Sequence, residues 1–256
     1  MTRIHPTALL AEGAELDEDV EVGPYCIVGP HVRVGAGTRL LSHVVLDGHT
    51  TIGRRCTIYP FACVGTLTQD LKYRGGAPRV EVGDETTIRE YVTIHTATAD
   101  GDATRVGSKC LLMASCHVAH DCQVGNEVII ANYAGLAGHV VVEDGAIIGG
   151  MSGIHQFVRI GRLAYVGGMS AVRQDVPPYM LAEGHPATIV SPNLVGLRRR
   201  GLPSETIDAL RSAHRILYRS GLTIPEALKR IESELSGPEI THLVEFIRAS
   251  QRGIIR

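Results

Sequence analysis

Residues 106–141, written in groups of six, are VGSKCL, LMASCH, VAHDCQ, VGNEVI, IANYAG and LAGHVV. Each group begins with Val, Leu or Ile, and the fifth residue of each is Cys, Val or Ala. This period of six matches neither the 3.6-residue period of a helix nor the simple alternation of a β-sandwich strand. It is typical of a triangular coil, in which each group forms one flat side and three groups form a turn of about 18 residues.

The same pattern extends far beyond this stretch. Stepping by six from Ile4 to Val172 gives 29 positions, of which 26 are Ile, Leu or Val. The three exceptions are Asp70, Gly76 and Asp100, and they fall in two polar stretches, 66–79 and 97–105, which we interpret as loop insertions. The sequence therefore predicts an all-β solenoid over residues 1–179, a parallel β-helix whose neighbouring strands are about 4.8 Å apart.

Two further columns follow from the repeat. The residue four positions after each aliphatic is Ala, Cys, Ser, Thr or Val at 28 of 29 positions, which predicts a second inward column of small side chains. Glycine often follows the aliphatic residue directly, as at Gly23, Gly125 and Gly149. We expect these glycines to form the chain corners, where permissive backbone dihedrals are needed.

The cysteines fit the inward column of small residues. Five of the six occupy it: Cys26, Cys56, Cys110, Cys116 and Cys122. Cys63 does not. Buried free cysteines behave as small apolar residues, so this placement argues against a disulfide framework or a zinc-thiolate site.

The pattern stops after Pro177 and Pro178, and a different region begins. Residues 180–202 are predicted to be an irregular connection that ends in the basic run 198–200. Residues 203–256 show apolar residues at helical spacing over 204–220, 223–236 and 238–251, each stretch followed by glycine or a polar residue. We expect a small C-terminal helical domain that covers the open end of the β-helix.

Composition excludes several classes of protein. Lys and Arg number 25 against 27 Asp and Glu, a formal net charge of −2, which gives no basic field for nucleic acid. No apolar run approaches the roughly 18 residues of a transmembrane segment, and the N-terminus has no signal-peptide core. We therefore expect a cytoplasmic protein. With no Trp and 3 Phe, its core must consist of aliphatic and small residues.

Outward histidines cluster at one height of the predicted coil. An 18-residue turn places His120 beside Gly138 and Asp121 beside His139 on adjacent coils, with His155 one coil further on. His117 and His95 are predicted to lie close by. Isolated histidines such as His31, His43 and His49 are instead expected to be ordinary surface residues.

Two chemistries suit this cluster. One is metal binding by imidazoles that converge across a subunit interface. The other is general-base catalysis by an imidazole whose tautomer a carboxylate or carbonyl fixes. Gly138 favours the second, because a glycine beside the base lets a substrate carbonyl approach a backbone N–H. The clustering also argues against a purely structural solenoid.

Short motifs along the chain carry a resemblance to a known family. They are QDLKY at 69–73, HVAHDC at 117–122, LAGH at 136–139, HQF at 155–157, QDVPPY at 174–179 and RGIIR at 252–256. In this order, over essentially the whole chain, they closely resemble the UDP-N-acetylglucosamine acyltransferases of lipid A biosynthesis. The related N-acyltransferase of the same pathway has an additional N-terminal nucleotide-binding domain, for which the repeat beginning at Ile4 leaves no room.

The resemblance implies a left-handed parallel β-helix, which is an exception to the usual right-handed connection between parallel strands. It also implies a homotrimer with active sites between neighbouring subunits. The family transfers an (R)-3-hydroxyacyl group from acyl carrier protein to the 3-hydroxyl of UDP-N-acetylglucosamine, with no cofactor or metal. By resemblance, His120 is the general base, Asp121 orients it, and the Gly138 N–H stabilises the oxyanion.

The resemblance also implies binding residues. The candidates for substrate binding, with His95 added from the cluster, are Asp70, Lys72, His95, His117, His139, His155 and Gln156. Asn193, Arg199 and Arg200 resemble residues that hold the nucleotide, whose phosphates suit a guanidinium. Gly168 matches the position that sets acyl-chain length in the family, where glycine permits longer chains.

The chain departs from the family pattern in two places. Val195 stands where many members have an acidic residue that contacts the sugar, which leaves open an acceptor with an amine at the sugar 3-position. Thr96-Ala97-Thr98 stands where many members have Arg-Gly-Thr. A different class also remains, the hexapeptide-repeat metalloenzymes such as γ-type carbonic anhydrase, which bind zinc through histidines at the trimer interface.

Overall fold

A computed structural model describes all residues, 1–256. The first half contains short strands, mostly of two residues, and nearly all of them end at an aliphatic position of the repeat. These strands are β1 (Arg3–Ile4), β2 (Leu9–Leu10), β3 (Glu15–Leu16), β4 (Glu21–Val22), β5 (Ile27–Val28), β6 (Arg33–Val34), β7 (Arg39–Leu40), β8 (Val45–Leu46), β9 (His49–Ile52), β10 (Thr57–Ile58), β11 (Cys63–Thr66), β12 (Arg79–Val82), β13 (Thr87–Ile88) and β14 (Thr93–His95).

The second half continues the same pattern and ends in a hairpin. Its strands are β15 (Ala103–Val106), β16 (Leu111–Leu112), β17 (His117–Val118), β18 (Gln123–Val124), β19 (Ile129–Ile130), β20 (Gly135–Leu136), β21 (Val141–Val142), β22 (Ile147–Ile148), β23 (Gly153–Ile154), β24 (Arg159–Ile160), β25 (Tyr165–Val166), β26 (Ala171–Val172), β27 (Met180–Gly184) and β28 (Ala187–Pro192). Four helices follow: α1 (Leu194–Arg199), α2 (Ser204–Arg219), α3 (Ile224–Glu234) and α4 (Pro238–Arg248).

Every third strand belongs to the same sheet, so the chain forms a triangular prism. Sheet 1 contains β1, β4 and every third strand to β25, followed by β27 and β28; sheet 2 runs from β2 to β26 and sheet 3 from β3 to β24. The strands of the coil pair in parallel, and Ile130 pairs with Leu112 below and Ile148 above. This register stacks each aliphatic residue on the equivalent residue of the next coil, as the repeat predicts.

The interior of the prism holds both inward columns. The aliphatic side chains of Leu40, Ile58 and Ile148 are buried, and so are the five cysteines of the small column. Burial raises the pKa of the Cys116 thiol to about 12, so this cysteine is an unreactive packing residue.

The expectation for the corner glycines was wrong. Gly23 does not have a positive φ; a Cβ there would lie 2.3 Å from the carbonyl oxygen of Leu41 on the next coil. The left-handed corner residues lie two positions later and are mostly not glycine, as at Tyr25 (φ 58°) and Asp121 (φ 60°). Glycine after the aliphatic residue therefore permits close approach of neighbouring coils, whereas the corners tolerate other residues.

The two insertions emerge side by side. Residues 67–78 connect β11 to β12, and residues 96–102 connect β14 to β15. The Thr96 N–H donates to the Thr66 carbonyl at 3.0 Å, and the Ala77 N–H donates to the Asp100 carboxylate at 2.7 Å. The insertions thus contact each other on the same side of the prism.

Residues 180–202 are not the irregular connection that we predicted. β27 pairs in parallel with β25 and so extends sheet 1, and it then forms an antiparallel hairpin with β28. In β28, Ala187 and Ile189 are buried and Thr188 and Val190 are exposed, a two-residue alternation that the loss of the six-residue period obscured. α1 follows, and the side chain of Asn193 caps it by accepting the Gly196 N–H at 3.1 Å.

Helices α2, α3 and α4 pack together and against the top of the prism. Their buried faces include Leu210, Ile231 and Leu243, which join the same apolar core as the coil interior. The chain end is fastened to the last coil, where the Asp175 N–H donates to Gly253 and the Ile255 N–H donates to Asp175. None of the helices has the length and apolar character needed to cross a membrane.

Candidate active site

A cavity of about 660 Å³ lies on the outer face of sheet 2, in the coils that follow the two insertions. We call it the histidine cleft. Its polar lining includes Gln69, His95, His117, His120, His155, Gln156 and Arg173. Gly135, Gly153 and Ala171 form its floor, since these residues occupy the outward position of β20, β23 and β26 and have little or no side chain. Small outward residues thus make the groove.

His120 and Asp121 form a hydrogen-bonded pair at the edge of this cleft. The Nδ1 of His120 lies 2.7 Å from Oδ2 of Asp121, and the side chains are 17% and 11% exposed. A proton on Nδ1, donated to the carboxylate, leaves Nε2 as the free, basic nitrogen of the ring. This is the arrangement of an imidazole prepared to accept a proton at Nε2.

Asp121 is held in place from several sides. It adopts the left-handed corner conformation, and its own N–H donates to Thr104 at 2.8 Å. Burial raises the pKa of its carboxyl group, but hydrogen bonds from His120 and Thr98 outweigh burial and hold the pKa below its usual value. Asp121 is therefore a carboxylate at neutral pH.

Gly138 lies directly against the His120 ring. A Cβ at this position would lie 2.3 Å from Cε1 and 2.4 Å from Nε2 of His120, so only glycine fits. Its carbonyl accepts the Phe157 N–H at 3.1 Å, and its own N–H makes no hydrogen bond within the chain. A free N–H beside a basic nitrogen is the geometry that an oxyanion donor requires.

His95 and His117 form a second, more buried pair inside the cleft. Their ring centroids are 4.7 Å apart, edge to face, and His117 Nδ1 lies 2.7 Å from the Thr93 hydroxyl. Burial, together with the nearby His95 and His120, lowers the pKa of His117 to about 4. Burial and His120 also lower the pKa of His95. Both rings are neutral at pH 7 and suit hydrogen bonding to a substrate.

His139, His155 and Gln156 lie at the outer edge. His139 packs edge to face on His120 at 5.2 Å, and its Nε2 is 3.6 Å from Asp121. Phe157 stacks on the His139 ring at 4.6 Å. His155 and Gln156 are exposed and line the cleft.

The first insertion supplies Gln69, Asp70 and Lys72. Asp70 accepts the Lys72 backbone N–H at 2.9 Å, which lowers the pKa of its carboxyl group, and it lies 3.5 Å from the Thr98 hydroxyl. The Lys72 side chain is exposed and does not line the cleft. Gln69, Thr98 and Arg173 are site residues that our sequence reasoning missed.

The predicted nucleotide residues lie elsewhere on the chain. Asn193, Arg199 and Arg200 line a second cavity of about 660 Å³ between α1 and the outer face of sheet 1. We call it the α1 cavity. Ile129, Ile147 and Tyr165 form its apolar wall, and Val195 also lines it. Arg200 is ion-paired with Glu127, whereas the guanidinium of Arg199 makes no hydrogen bond or ion pair within the chain. The structure therefore does not bring these residues to the histidine cleft of the same chain.

Gly168 lies at the corner between sheets 1 and 2, three coils above Ala114. A Cβ at Gly168 would have Gly150 O, at 3.3 Å, as its nearest neighbour. The next residue, Met169, is 72% exposed. Gly168 lines neither cavity within one chain.

His120, Asp121 and His139 also offer three potential metal ligands within 4.8 Å of one another. The 2.7 Å between His120 Nδ1 and Asp121 is hydrogen-bond spacing. Two ligands of a tetrahedral zinc ion are farther apart, at about 3.3 Å for bonds of roughly 2.0 Å. The donor set as arranged suits a hydrogen-bonded dyad better than a metal.

Comparison with known proteins identifies the family. The family model described as "Udp N-acetylglucosamine O-acyltransferase; Domain 2" matches residues 175–255, and the bacterial transferase hexapeptide model matches 103–138. A relative from Thermodesulfovibrio yellowstonii, an acyl-[acyl-carrier-protein]–UDP-N-acetylglucosamine O-acyltransferase, is 52% identical over all of both chains. The chain belongs to the UDP-N-acetylglucosamine O-acyltransferase family.

Solved structures of UDP-N-acetylglucosamine O-acyltransferases agree with this assignment. LpxA from Acinetobacter baumannii is 46% identical, with a TM-score of 0.96 over 99% of each chain. LpxA from Bacteroides fragilis, a UDP-N-acetylglucosamine acyltransferase, is 39% identical, with a TM-score of 0.97 over 99% of this chain and 100% of that one. The family match and these structures confirm the predicted fold class, a left-handed parallel β-helix followed by a small helical domain.

Proposed function

We propose that this protein transfers an (R)-3-hydroxyacyl group from acyl carrier protein to the 3-hydroxyl of UDP-N-acetylglucosamine, the first step of lipid A biosynthesis. The observation that carries the proposal is the free N–H of Gly138 beside the His120 ring, whose Nδ1 is bonded to Asp121. Family membership at 52% identity over the full length supports the same reaction.

The geometry leads to a simple mechanism. His120 Nε2 takes the proton of the sugar 3-hydroxyl while that oxygen attacks the thioester carbonyl. The carbonyl oxygen becomes an oxyanion and accepts the Gly138 N–H. Collapse of the intermediate breaks the carbon–sulfur bond, and the leaving thiolate takes the proton back from His120. Asp121 stays ionised and stabilises the imidazolium that forms between these steps.

Substrate binding divides between the two cavities. His95, His117, His139, His155 and Gln156 surround the reacting sugar in the histidine cleft, and the first insertion contributes Asp70 and Lys72 beside the cleft. Asn193, Arg199 and Arg200 hold the nucleotide in the α1 cavity, where the free guanidinium of Arg199 suits a phosphate.

We further propose a homotrimer, since one chain cannot combine its own two half-sites. The histidine cleft and the α1 cavity lie on different faces of the prism. If sheet 2 of one copy faces sheet 1 of the next, the contact is heterologous, and a three-fold rotation closes it.

An exposed apolar surface supports this contact. Below the histidine cleft, sheet 2 presents Leu9 (66% exposed) and Ile27 (45% exposed), beside a stacked ridge of Tyr25, His43, Phe61 and Tyr91 at the corner with sheet 1. Sheet 3 differs, because its outward residues form ion pairs such as Arg105–Glu81. Contiguous apolar surface of this kind marks a protein interface.

The acceptor and the location complete the proposal. Val195 places an apolar side chain in the α1 cavity where many family members have a carboxylate. A 3-amino sugar nucleotide is thus the second candidate acceptor, and it would give an amide. The proposed carrier-protein donor supports action in the cytoplasm.

The test is product analysis. The purified protein is incubated with 3-hydroxyacyl carrier proteins of two chain lengths and with either UDP-N-acetylglucosamine or its 3-amino analogue. We expect an acylated UDP-N-acetylglucosamine whose acyl group is released by mild alkali, as an ester is. An alkali-stable product formed only from the amino analogue would favour the amide. No transfer to either acceptor, with hydration of carbon dioxide after zinc addition, would favour the metalloenzyme.

A further inference from the structure

Thr98 is the residue of the second insertion that reaches the reactive pair. By the six-residue count it belongs to the inward column of small residues, but the insertion shifts it out of the prism interior. Its hydroxyl lies 3.1 Å from His120 Nδ1, and its backbone N–H donates to Asp121 Oδ1 at 3.2 Å. Thr98 thus contacts both members of the dyad, each through a different atom.

The two contacts of Thr98 complement the bond between His120 and Asp121. Oδ2 of Asp121 accepts from His120, while Oδ1 accepts from Thr98, so both carboxylate oxygens are fixed. The Thr98 hydroxyl can share the proton on His120 Nδ1, and it also lies 3.5 Å from Asp70 in the first insertion. A second acceptor at Nδ1 favours the tautomer that leaves Nε2 free.

We propose that Thr98 is a positioning residue that fixes the tautomer and orientation of His120 and connects the dyad to Asp70 on the first insertion. The inference rests on the proposed function, because it assigns Thr98 a role in the proton transfer at His120.

Local folding of the second insertion does not depend on the Thr98 side chain. Thr96 and Ala97 are buried and anchor the segment, with Thr96 accepting the Thr68 N–H at 3.2 Å. The Thr98 side chain is half-buried, and all its hydrogen bonds are to His120 and Asp70. Removing the hydroxyl should therefore leave the fold intact while changing the environment of His120.

The test compares Thr98→Val, which keeps the shape and backbone N–H, with Thr98→Ser, which keeps the hydroxyl. Thr51→Val is the matched control, since Thr51 is exposed on sheet 3 and its hydroxyl makes no hydrogen bond. We expect Thr98→Val to lower kcat about tenfold, the size of one hydrogen bond, with KM for the UDP-sugar changed less than twofold. Thr98→Ser should restore most of kcat.

The pH profile separates positioning from a structural role. The titratable groups that face His120 are Asp70, His95, His117, Asp121 and His139. The imidazolium donates more strongly than the neutral ring, so losing the Thr98 acceptor should move the acid limb of kcat/KM to lower pH. The limb should stay in place for Thr98→Ser and Thr51→Val.

The outcomes are distinct from those of the proposed function. A Thr98→Val enzyme with wild-type kcat and pH profile, or a kcat loss that serine does not restore, would overturn the inference while acyl transfer itself stands. An Asp121→Asn background adds a check, because Thr98→Val should cost less there if both residues act on His120. Absence of acyl transfer in the wild-type protein would instead contradict the proposed function.

Discussion

The lower and upper halves of sheet 2 share the same backbone arrangement, but their outer surfaces differ in character. Their inward residues are interchangeable aliphatics stacked in one column, such as Val28 below and Leu136 above. The outward column, however, changes along the prism: Leu9, Ile27, Val45, Cys63 and Thr93 below, then His117, Gly135, Gly153 and Ala171 above. The lower half is an apolar surface, and the upper half is a groove lined by histidines.

This comparison separates two kinds of information in the sequence. The inward columns specify the coil and keep its register, whatever stands outside. The outward positions are free to change, so one face can bind a neighbouring copy in its lower half and carry out chemistry in its upper half. Each substitution below alters either the upper or the lower half of sheet 2.

The largest expected effect is the loss of the general base from the upper half. We expect His120→Ala to lower kcat/KM for acyl transfer by about 10² to 10⁴, the usual contribution of such a group. Thermal stability and oligomeric state should stay as in the wild type, since His120 is outside the packed core.

A histidine of the lower coils provides the control for this substitution. His49 is stacked on His31 at 4.4 Å, on the same corner of the prism as His120 but three coils lower. His49→Ala should keep wild-type activity. More than a tenth of wild-type activity in His120→Ala would show that His120 is not the base.

A charge in the lower half tests the apolar surface. Ile27→Asp places a carboxylate in the proposed contact between copies, where burial without a partner is costly. We expect light scattering to give a smaller species and activity to fall more than tenfold, although residue 27 is far from His120. Thr51→Asp, on sheet 3, should remain trimeric and active. A wild-type oligomer for Ile27→Asp would place the subunit contact elsewhere.

The sequence predicts the position of a site residue only where the six-residue repeat is unbroken. The pairing of His120 with Gly138 is predictable, because an unbroken 18-residue turn fixes which residues stack. The roles of Gln69 and Thr98 are not, since both lie in insertions where the six-residue count no longer gives a position. The hairpin of residues 180–192 was missed for the same reason. The corner glycines were misinterpreted because the repeat gives the spacing of residues but not their backbone dihedrals.

A smaller effect concerns the pH dependence of stability. The pKa of His117 is lowered from 6.5 to about 4 by burial and by His95 and His120. The unfolded chain therefore binds a proton at higher pH than the folded one, so stability falls as pH decreases from about 6.5 toward 4 and then levels off. We expect His117→Asn to flatten this part of a plot of Tm against pH. An unchanged slope would contradict the buried, neutral state of His117.

The subtlest effect is on acyl-chain selectivity. Gly150 and Gly168 place no side chain at the corner beside sheet 2, so a chain anchored near His120 can extend along this column, and we expect the wild type to prefer a long 3-hydroxyacyl group. Gly168→Met should shift the preference toward shorter chains with little loss of total activity, measured with competing carrier-protein substrates. Equal loss for all chain lengths, or a wild-type preference for short chains, would remove Gly168 as the determinant.

The central claim is that one active site combines the histidine cleft of one copy with the α1 cavity of the next. Its most direct test is to co-express two variants that are each inactive, His120→Ala and Arg199→Glu, and to assay the mixed oligomers. If the halves come from neighbouring copies, random assembly restores about a quarter of the sites, because each intact site needs one chain of each kind in the right order. Activity no higher than that of either variant alone would place both halves within one chain and contradict the account.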